Sequence, residues 1–374
     1  MRIIDVVSGE NTYNVCVTRG FDGLAEALSQ AGLAGRRTAV ICDDGVAPLY
    51  LADVRERVAP NAEYYAEMII GAGEAAKSFP ALESICSFLM DNRMQRDSLM
   101  IILGGGVVSD VAGFAAAIYM RGIPYVIVST TLLSMCDSSI GGKTGIDIGE
   151  HKNVVGAFAA PALVYSNVET LRTLPAREFA SGMAEVVKHA LIKDESYLEW
   201  IGSNLDGIRA KDLDTLDRLV TWSCEIKAGV VAQDEFERKG VREILNFGHT
   251  FGHAIEGLSG YNMRHGECVS IGTSAALRLS AHFGYIGDDE VRSAIGLLKT
   301  LGLPTGVTAG GFSPEQIYDL MLSDKKVKGG KLRLILLKQV GEAVIYAPTR
   351  EEVLIGLQMT MTTNKGDEHG MGKQ

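Results

Sequence analysis

The chain has 374 residues, 47% of them hydrophobic, and a net charge of −10 at neutral pH. That length accommodates two domains with a sizeable core, and the composition rules out disorder for most of it. So acidic a chain lacks the electrostatic footprint of a nucleic-acid binder, and an anionic substrate would have to be held by local clusters of Lys, Arg and His.

In chain order, Met1-Arg2-Ile3-Ile4-Asp5 places charge at the start and offers no apolar stretch of signal-peptide length. The first half then alternates short apolar runs with helical patterns. Thr38 to Cys42 is a β-rich run ending at Asp43-Asp44-Gly45. Leu99 to Leu103 ends at Gly104-Gly105-Gly106, and Tyr125 to Val128 at Ser129-Thr130-Thr131. Strands separated by helices predict βαβ units and a parallel sheet, whose ligands bind beyond the carboxyl ends of the strands. The longest apolar run, near Val111 to Met120, is too short to span a bilayer. From about residue 175 the periodicity is helical, over Arg177 to Trp200, Leu213 to Gln233, Val241 to Leu258, Glu267 to Phe283 and Glu290 to Leu301. Lys331 to Lys338, with the turn at Gly341, reads as a small hairpin. The six cysteines are scattered without a Cys-x-x-Cys pair, as suits reduced, buried thiols in a cytoplasm.

The expected architecture is an α/β N-terminal nucleotide-binding domain with a parallel sheet over 1–175. A mainly α-helical C-terminal domain for metal and substrate follows over 176–360, and a flexible tail over 361–374.

Gly104 to Asp110 follows a strand and opens a helix. Such glycines let a backbone approach a pyrophosphate at a helix N-terminus, although a triple glycine also serves as a plain turn. The run is not the G-x-G-x-x-G fingerprint. Asp43 suits a ribose or a helix cap equally. Glu74 and Lys77 read by themselves as a solvated pair, and Thr130-Thr131 as a phosphate contact or a cap.

In the second half, Glu185 sits in the apolar helix Gly182 to His189, where a carboxylate is costly to bury without a partner. His249 and His253 are four apart on one helix face, each beside a glycine, and His265 stands at a loop-to-helix junction. One Glu and two His are the ligand types of a catalytic divalent metal, and the His-x-x-x-His spacing leaves open that both helix histidines bind. No Glu makes this the metalloprotease motif. Basic residues recur beside glycine-rich or apolar segments, at Arg121, Lys143, Lys152, Lys188, Lys227, Arg242 and Lys325-Lys326. In an acidic chain these are the candidates for phosphate and carboxylate.

These residues together resemble the 3-dehydroquinate synthase family. The resemblance runs through Gly104 to Gly106, Asp110, Tyr119-Met120-Arg121-Gly122, Thr130 to Leu133, Asp137 to Thr144 and Lys152-Asn153. It continues through Gly182 to Lys188, Asn246 to His253, His265-Gly266-Glu267 and Asp324-Lys325-Lys326, covering about residues 40 to 345 in family order. It implies NAD on Asp43, Glu74, Lys77, Gly105, Gly106, Val107, Asp110, Thr130, Thr131, Lys143, Lys152, Thr173 and Glu178. It implies zinc or cobalt on Glu185, His249 and His265. The substrate implied is a phosphorylated sugar acid, 3-deoxy-D-arabino-heptulosonate 7-phosphate. Its phosphate would meet Lys143, Asn153, Asn246, His253, Lys326 and Arg121, and its carboxylate Lys227 and Arg242. Asp137 and Lys188 would contact ring hydroxyls. Lys188, His253, Asp137 and Asn246 form the implied catalytic set, and a homodimer is the implied assembly, with neither nucleic acid nor membrane as partner. The chain departs from the family pattern at Ser129 for Pro, Ser109 for Gly and His189 for an aromatic. It also carries one extra residue between Lys227 and Arg242, so no acid from Glu235 to Glu237 is given a role.

Overall fold

A computed structural model describes residues 1–9, 11–149, 151–260, 262–308, 311–323 and 332–362. The chain divides into two compact units, Met1–Pro175 with Asn204–Lys239, and Ala176–Ser203 with Gly240–Gln374.

The first unit opens with the antiparallel strands β1 (Arg2–Ser8) and β2 (Asn11–Thr18). It continues through α1 (Leu24–Gln30), β3 (Arg37–Asp43), α2 (Ala47–Val58), β4 (Tyr64–Ile70), α3 (Phe79–Asp91), β5 (Leu99–Gly104), α4 (Gly106–Ile118) and β6 (Tyr125–Ser129). A π-helical turn, Ser134–Ser138, leads to the hairpin of β7 (Lys143–Ile148) and β8 (His151–Phe158), and β9 (Leu163–Asn167) returns to the main sheet. That sheet has the order β1-β2-β9-β6-β5-β3-β4, and every pairing except β1 with β2 is parallel.

Strands β3, β5, β6 and β9 are almost continuously buried, as expected when a parallel sheet is covered on both faces. Val40, Cys42, Ile101, Leu103, Val126 and Val128 pack against α1 and α2 residues Leu24, Leu28, Leu51 and Val54. Their alternate neighbours, such as Ile41 and Ile102, point to the other face, where α3 and α4 lie. From β3 the chain runs outward to β4, then crosses back to β5 and on to β6. The order therefore reverses between β3 and β5, the switch point at which ligands bind in such sheets.

The helical unit begins with α5 (Ala176–Lys193) and α6 (Glu195–Ser203). The short α7 (Leu205–Arg209) and the long α8 (Leu213–Gln233) then belong to the first unit. Residues 204–239 thus depart from a division into 1–175 and 176–360. The physical reason is that α8 buries Leu216, Leu219, Val220, Val230 and Val231 and packs on β1 and β2, with Asp217 paired to Arg2 at 2.7 Å. The helix read over 177–200 is divided at Asp194, whose carboxylate accepts from Ser196 and from the Tyr197 N–H and starts α6. The helix read over 241–258 is a 3-10 turn, Arg242–Asn246, followed by α9 (His249–Leu258). Gly248, at φ 77°, separates them.

The second unit continues with α10 (His265–His282), α11 (Asp288–Thr300), β10 (Val307–Thr308) and α12 (Pro314–Ser323). The hairpin of β11 (Leu334–Gln339) and β12 (Glu342–Tyr346) turns at Gly341, and α13 (Arg350–Gln358) is followed by β13 (Met361–Thr362), which pairs with β10. The rest of the expected tail, 363–374, lies outside the described residues. Among the described residues no helix is long and apolar enough to cross a membrane, and all six cysteines are free.

Candidate functional site

In the first unit the candidate nucleotide residues gather at the sheet's switch point. Asp43 ends β3, and its Oδ1 accepts from the N–H groups of Gly45 and Val46, both at 3.0 Å. That is the turn role left open from sequence. Burial raises its pKa while these two donors work against the rise. Gly104 ends the adjacent β5 at φ 153°, where a Cβ would stand 2.4 Å from Val108 Cγ1 and 3.0 Å from Asp43 Oδ2. Gly105 precedes α4 with no side-chain cap, leaving the helix start at Gly106 and Val107 formed by backbone alone. A Cβ on Gly105 would strike Thr131 Cγ2 at 2.9 Å. Thr131 Oγ1 accepts from Ser134 N–H, whereas the buried Thr130 hydroxyl has no hydrogen-bond partner among the described residues. An orphaned hydroxyl beside an uncapped, glycine-lined helix start fits a phosphate-bearing cofactor.

Beside this turn lies an ionic network. The Lys77 ammonium is 2.8 Å from Asp110 Oδ2, 2.5 Å from Asn153 Oδ1 and 3.6 Å from Glu74 Oε1, and Lys152 reaches Glu74 at 3.1 Å. Burial alone would lower the Lys77 pKa, but Asp110 and Glu74 outweigh it and push it up to about 12. Asn153, in left-handed backbone at φ 53° and read as a substrate-phosphate contact, is thus tied by Lys77 to the residues read as cofactor contacts. Thr173 shares a hydroxyl hydrogen bond with Tyr50. Lys143 opens β7, half exposed and paired with Glu237; Glu235 accepts from Ser8 at 2.5 Å. Asp137 lies in the π-helical turn and pairs with buried Lys227 on α8, whose ammonium donates to Asp137 Oδ1 at 2.5 Å and to its carbonyl at 2.6 Å. Arg121 is exposed and left-handed at φ 67°, directly after Met120 at φ 51°.

In the second unit α5, α9 and α10 converge. Close approach of α9 and α10 depends on missing side chains, because a Cβ on Gly272 would lie 2.0 Å from the Gly248 carbonyl oxygen. Gly266 is as tight against α5, with Ser181 O at 2.0 Å from its would-be Cβ, and its N–H donates to Ser181 Oγ at 3.0 Å. Flanking ion pairs hold the same junction: Arg177 reaches Glu267 at 2.6 and 2.8 Å, and Arg264 reaches Glu178 at 2.7 Å. Glu178, read as a cofactor contact, thus stands in the second unit and engages Arg264.

This packing brings Glu185 Oε1 to 3.5 Å from His249 Nε2 and 3.3 Å from His265 Nε2. Ligand atoms about 2.0–2.1 Å from a tetrahedral ion stand about 3.3–3.4 Å apart, so Glu185 Oε1 is close to ligand spacing from each imidazole, and ligand atoms of all three residues lie within 4.8 Å of one another. Glu185 is fully buried, and Lys188, one turn along α5, is 2.5 Å from its Oε2. His249 Nδ1 is 3.1 Å from the Phe247 carbonyl, which takes the ring N–H and leaves the Nε2 lone pair toward Glu185. Burial holds the His249 pKa well below the usual imidazole range despite Glu185. Burial would lower that of His265 too, but bonds to Glu185 and Glu256 push it up to about 10.

His253 lies with its ring 5.4 Å from that of His249 and 5.9 Å from that of His265. Arg242 is buried and Asn246 partly buried at the two ends of the 3-10 turn before α9. Lys326 lies outside the described residues. Glu256, 3.4 Å from His265 Nδ1, was not singled out from sequence. The signal was present, since His249, His253 and Glu256 follow a four-then-three spacing that shares one helix face.

Fold and site together define a protein with a nucleotide-type α/β sheet and a helical unit carrying a candidate divalent-metal centre. The 3-dehydroquinate synthase N-terminal family profile matches residues 67–181, and the C-terminal profile of the same family matches 182–327. A 3-dehydroquinate synthase of Azotobacter vinelandii is 42% identical over 365 residues, 97% of each chain. One from Symbiobacterium thermophilum is 43% identical over 339 residues, 90% of this chain and 94% of its own. Among solved structures, a 2-epi-5-epi-valiolone synthase from Streptomyces hygroscopicus subsp. jinggangensis with NAD+ and Zn2+ bound is similar. It has a TM-score of 0.86 at 25% identity and covers 96% of this chain and 99% of that one. The chain belongs to the 3-dehydroquinate synthase family.

Proposed function

We propose that the chain converts 3-deoxy-D-arabino-heptulosonate 7-phosphate into 3-dehydroquinate and inorganic phosphate, with NAD and a divalent metal, zinc or cobalt, as cofactors. The single observation that carries this reading is the cluster of buried Glu185 and His249 with partly buried His265, their ligand atoms within 4.8 Å of one another, in a chain of this family. When bound, NAD supplies reversible hydride acceptance and the metal supplies charge stabilisation at the oxidised oxygen.

The protein's own groups hold, orient and move protons. Glu185, His249 and His265 would hold the metal. Asp43, Gly105, Gly106, Val107, Thr130, Thr131 and the network of Glu74, Lys77, Asp110 and Lys152 would hold NAD, with Lys143, Thr173 and Glu178 as further contacts. Arg121, Lys143, Asn153 and Lys326 are assigned to the phosphate, and Lys227 and Arg242 to the carboxylate. Lys188, His253, Asp137 and Asn246 are the catalytic set. The Lys188 ammonium, poised on Glu185, suits a charged hydrogen bond to a substrate hydroxyl. The substrate phosphate's own oxygen can take the proton next to the new ketone as phosphate leaves, so the chain needs to position it more than to supply a base. The proposal includes a homodimer and a cytoplasmic setting, the latter supported by six free cysteines.

The test follows phosphate, dehydroquinate and NADH together, with catalytic NAD and either metal. Equal release of phosphate and dehydroquinate without net NADH is expected. Absence of phosphate release from this substrate would move the chain to another sugar phosphate cyclase reaction, and steady NADH from a polyol would make it a dehydrogenase.

A further inference from the structure

We propose that Glu256 is a positioning residue for His265, fixing which ring nitrogen faces the metal; this rests on reading Glu185, His249 and His265 as the metal centre. The His265 ring lies between two carboxylates, with Nε2 3.3 Å from Glu185 Oε1 and Nδ1 3.4 Å from Glu256 Oε2. A metal must displace one proton from the ring, and the neutral imidazole that can then ligate has one N–H and one lone pair. Donation of Nδ1–H to Glu256 leaves the Nε2 lone pair on the side of Glu185 and His249. The opposite tautomer would face a lone pair with the Glu256 carboxylate and turn an N–H toward the ligand position.

The two imidazoles are thus oriented by unequal means. His249 gives its N–H to a backbone carbonyl, fixed by the chain at Phe247. His265 stands at the first residue of α10 and uses a side chain of another helix. Glu256 is only 4% exposed on α9, so its carboxylate has little solvent to turn into and stays toward His265. A carboxylate partner also makes the imidazole a stronger electron donor than a carbonyl does. Glu256 acts on the metal only through this ring.

The competing arrangement is a second ion. His253, Glu256 and His265 also offer ligand atoms within 4.8 Å of one another. The positioning role predicts one ion per chain, whereas the competing one predicts two.

The experiment uses the full chain stripped of metal, titrated with Zn2+ against a chromophoric chelator, and the visible spectrum of the Co2+-loaded protein. The variants are Glu256→Ala and Glu256→Gln, with thermal melting of each stripped protein as the check on folding. One ion per wild-type chain is expected. Both variants should bind about 10–100-fold more weakly, with Glu256→Gln at the lower end because its amide oxygen still accepts the N–H, and both should alter the Co2+ spectrum. Should the alanine variant fail to fold, the near-isosteric glutamine variant decides. Affinity within twofold of wild type together with an unchanged spectrum overturns the proposal. Two ions per wild-type chain, one lost on substitution, overturns it as well by making Glu256 a ligand. A wild-type chain that binds neither metal fails the proposed function instead, a result readable before any variant is made.

Discussion

Lys188 and Glu185 stand one turn apart in α5, both sealed from solvent and 2.5 Å from each other. Two opposing effects follow for Lys188→Met. Without the ammonium, the buried carboxylate loses its nearest cation, and breaking such a pair costs about 3–5 kcal/mol. The metal-stripped variant should therefore melt well below the stripped wild type. A bound divalent ion beside Glu185 would replace that lost charge, and the ammonium would no longer repel it. Metal affinity should thus be equal or tighter than in wild type, and metal should restore most of the lost melting temperature. Turnover should nevertheless fall about 10²–10⁴-fold if Lys188 handles a proton or hydroxyl of the substrate. Paired chelator titrations and melts check this, and weakened metal binding in the variant would show that Lys188 supports the centre instead.

The amphipathic helix α8 starts at Asp212, whose Oδ2 accepts from Thr215 N–H and Thr215 Oγ1, both at 2.9 Å. The Thr215 N–H bond is the main reason its pKa lies below the ordinary aspartate value. A depressed folded value gives stabilisation that is complete above the unfolded pKa of about 3.9 and is lost as pH falls through the folded one. Asp212→Ala should therefore melt below wild type at pH 7, and the gap should close toward pH 3. A gap of equal size at both pH values would assign it to something other than the cap. Elements of this kind were the legible part of the sequence. The runs at 38–42, 99–103 and 125–128 are β3, β5 and β6 to within a residue or two, and α8 has the expected bounds. Gly248 was invisible as a helix break, because its left-handed backbone is set by packing against α10 and the local apolar period runs through it. Residue type and spacing singled out Glu185 and the three histidines but left open whether His253 is a ligand, and the set Glu185, His249 and His265 came from the family resemblance. The orienting role of Glu256 was not readable, because it depends on which side chain of α9 meets the first residue of α10.

At the scale of the molecule, the chain leaves the sheet unit at residue 175 and returns to it at 204. Periodicity fixes which face of α8 is apolar but not what covers it, so the sequence placed that helix with the other helices. In the structure it covers β1, β2 and the turn holding Asp137, and it supplies Lys227 to that turn. Ile4 and Val6 of β1 and Val15 and Val17 of β2 are buried, and β1 is the edge strand with few other neighbours to bury them. A chain ending at residue 175 would uncover this apolar surface, as well as leaving Arg2 and Asp137 without Asp217 and Lys227. Each fully exposed Val or Ile side chain forfeits about 1.5–3 kcal/mol, and a few of these equal the whole net stability of a typical domain. We therefore expect residues 1–175 alone to show no cooperative thermal transition and to expose apolar surface to a dye such as ANS. The same residues mixed with a peptide spanning 204–239 should regain a transition. If 1–175 melted cooperatively by itself, α8 would be an accessory to a sheet that folds without it, and the discontinuous unit would be two independent pieces.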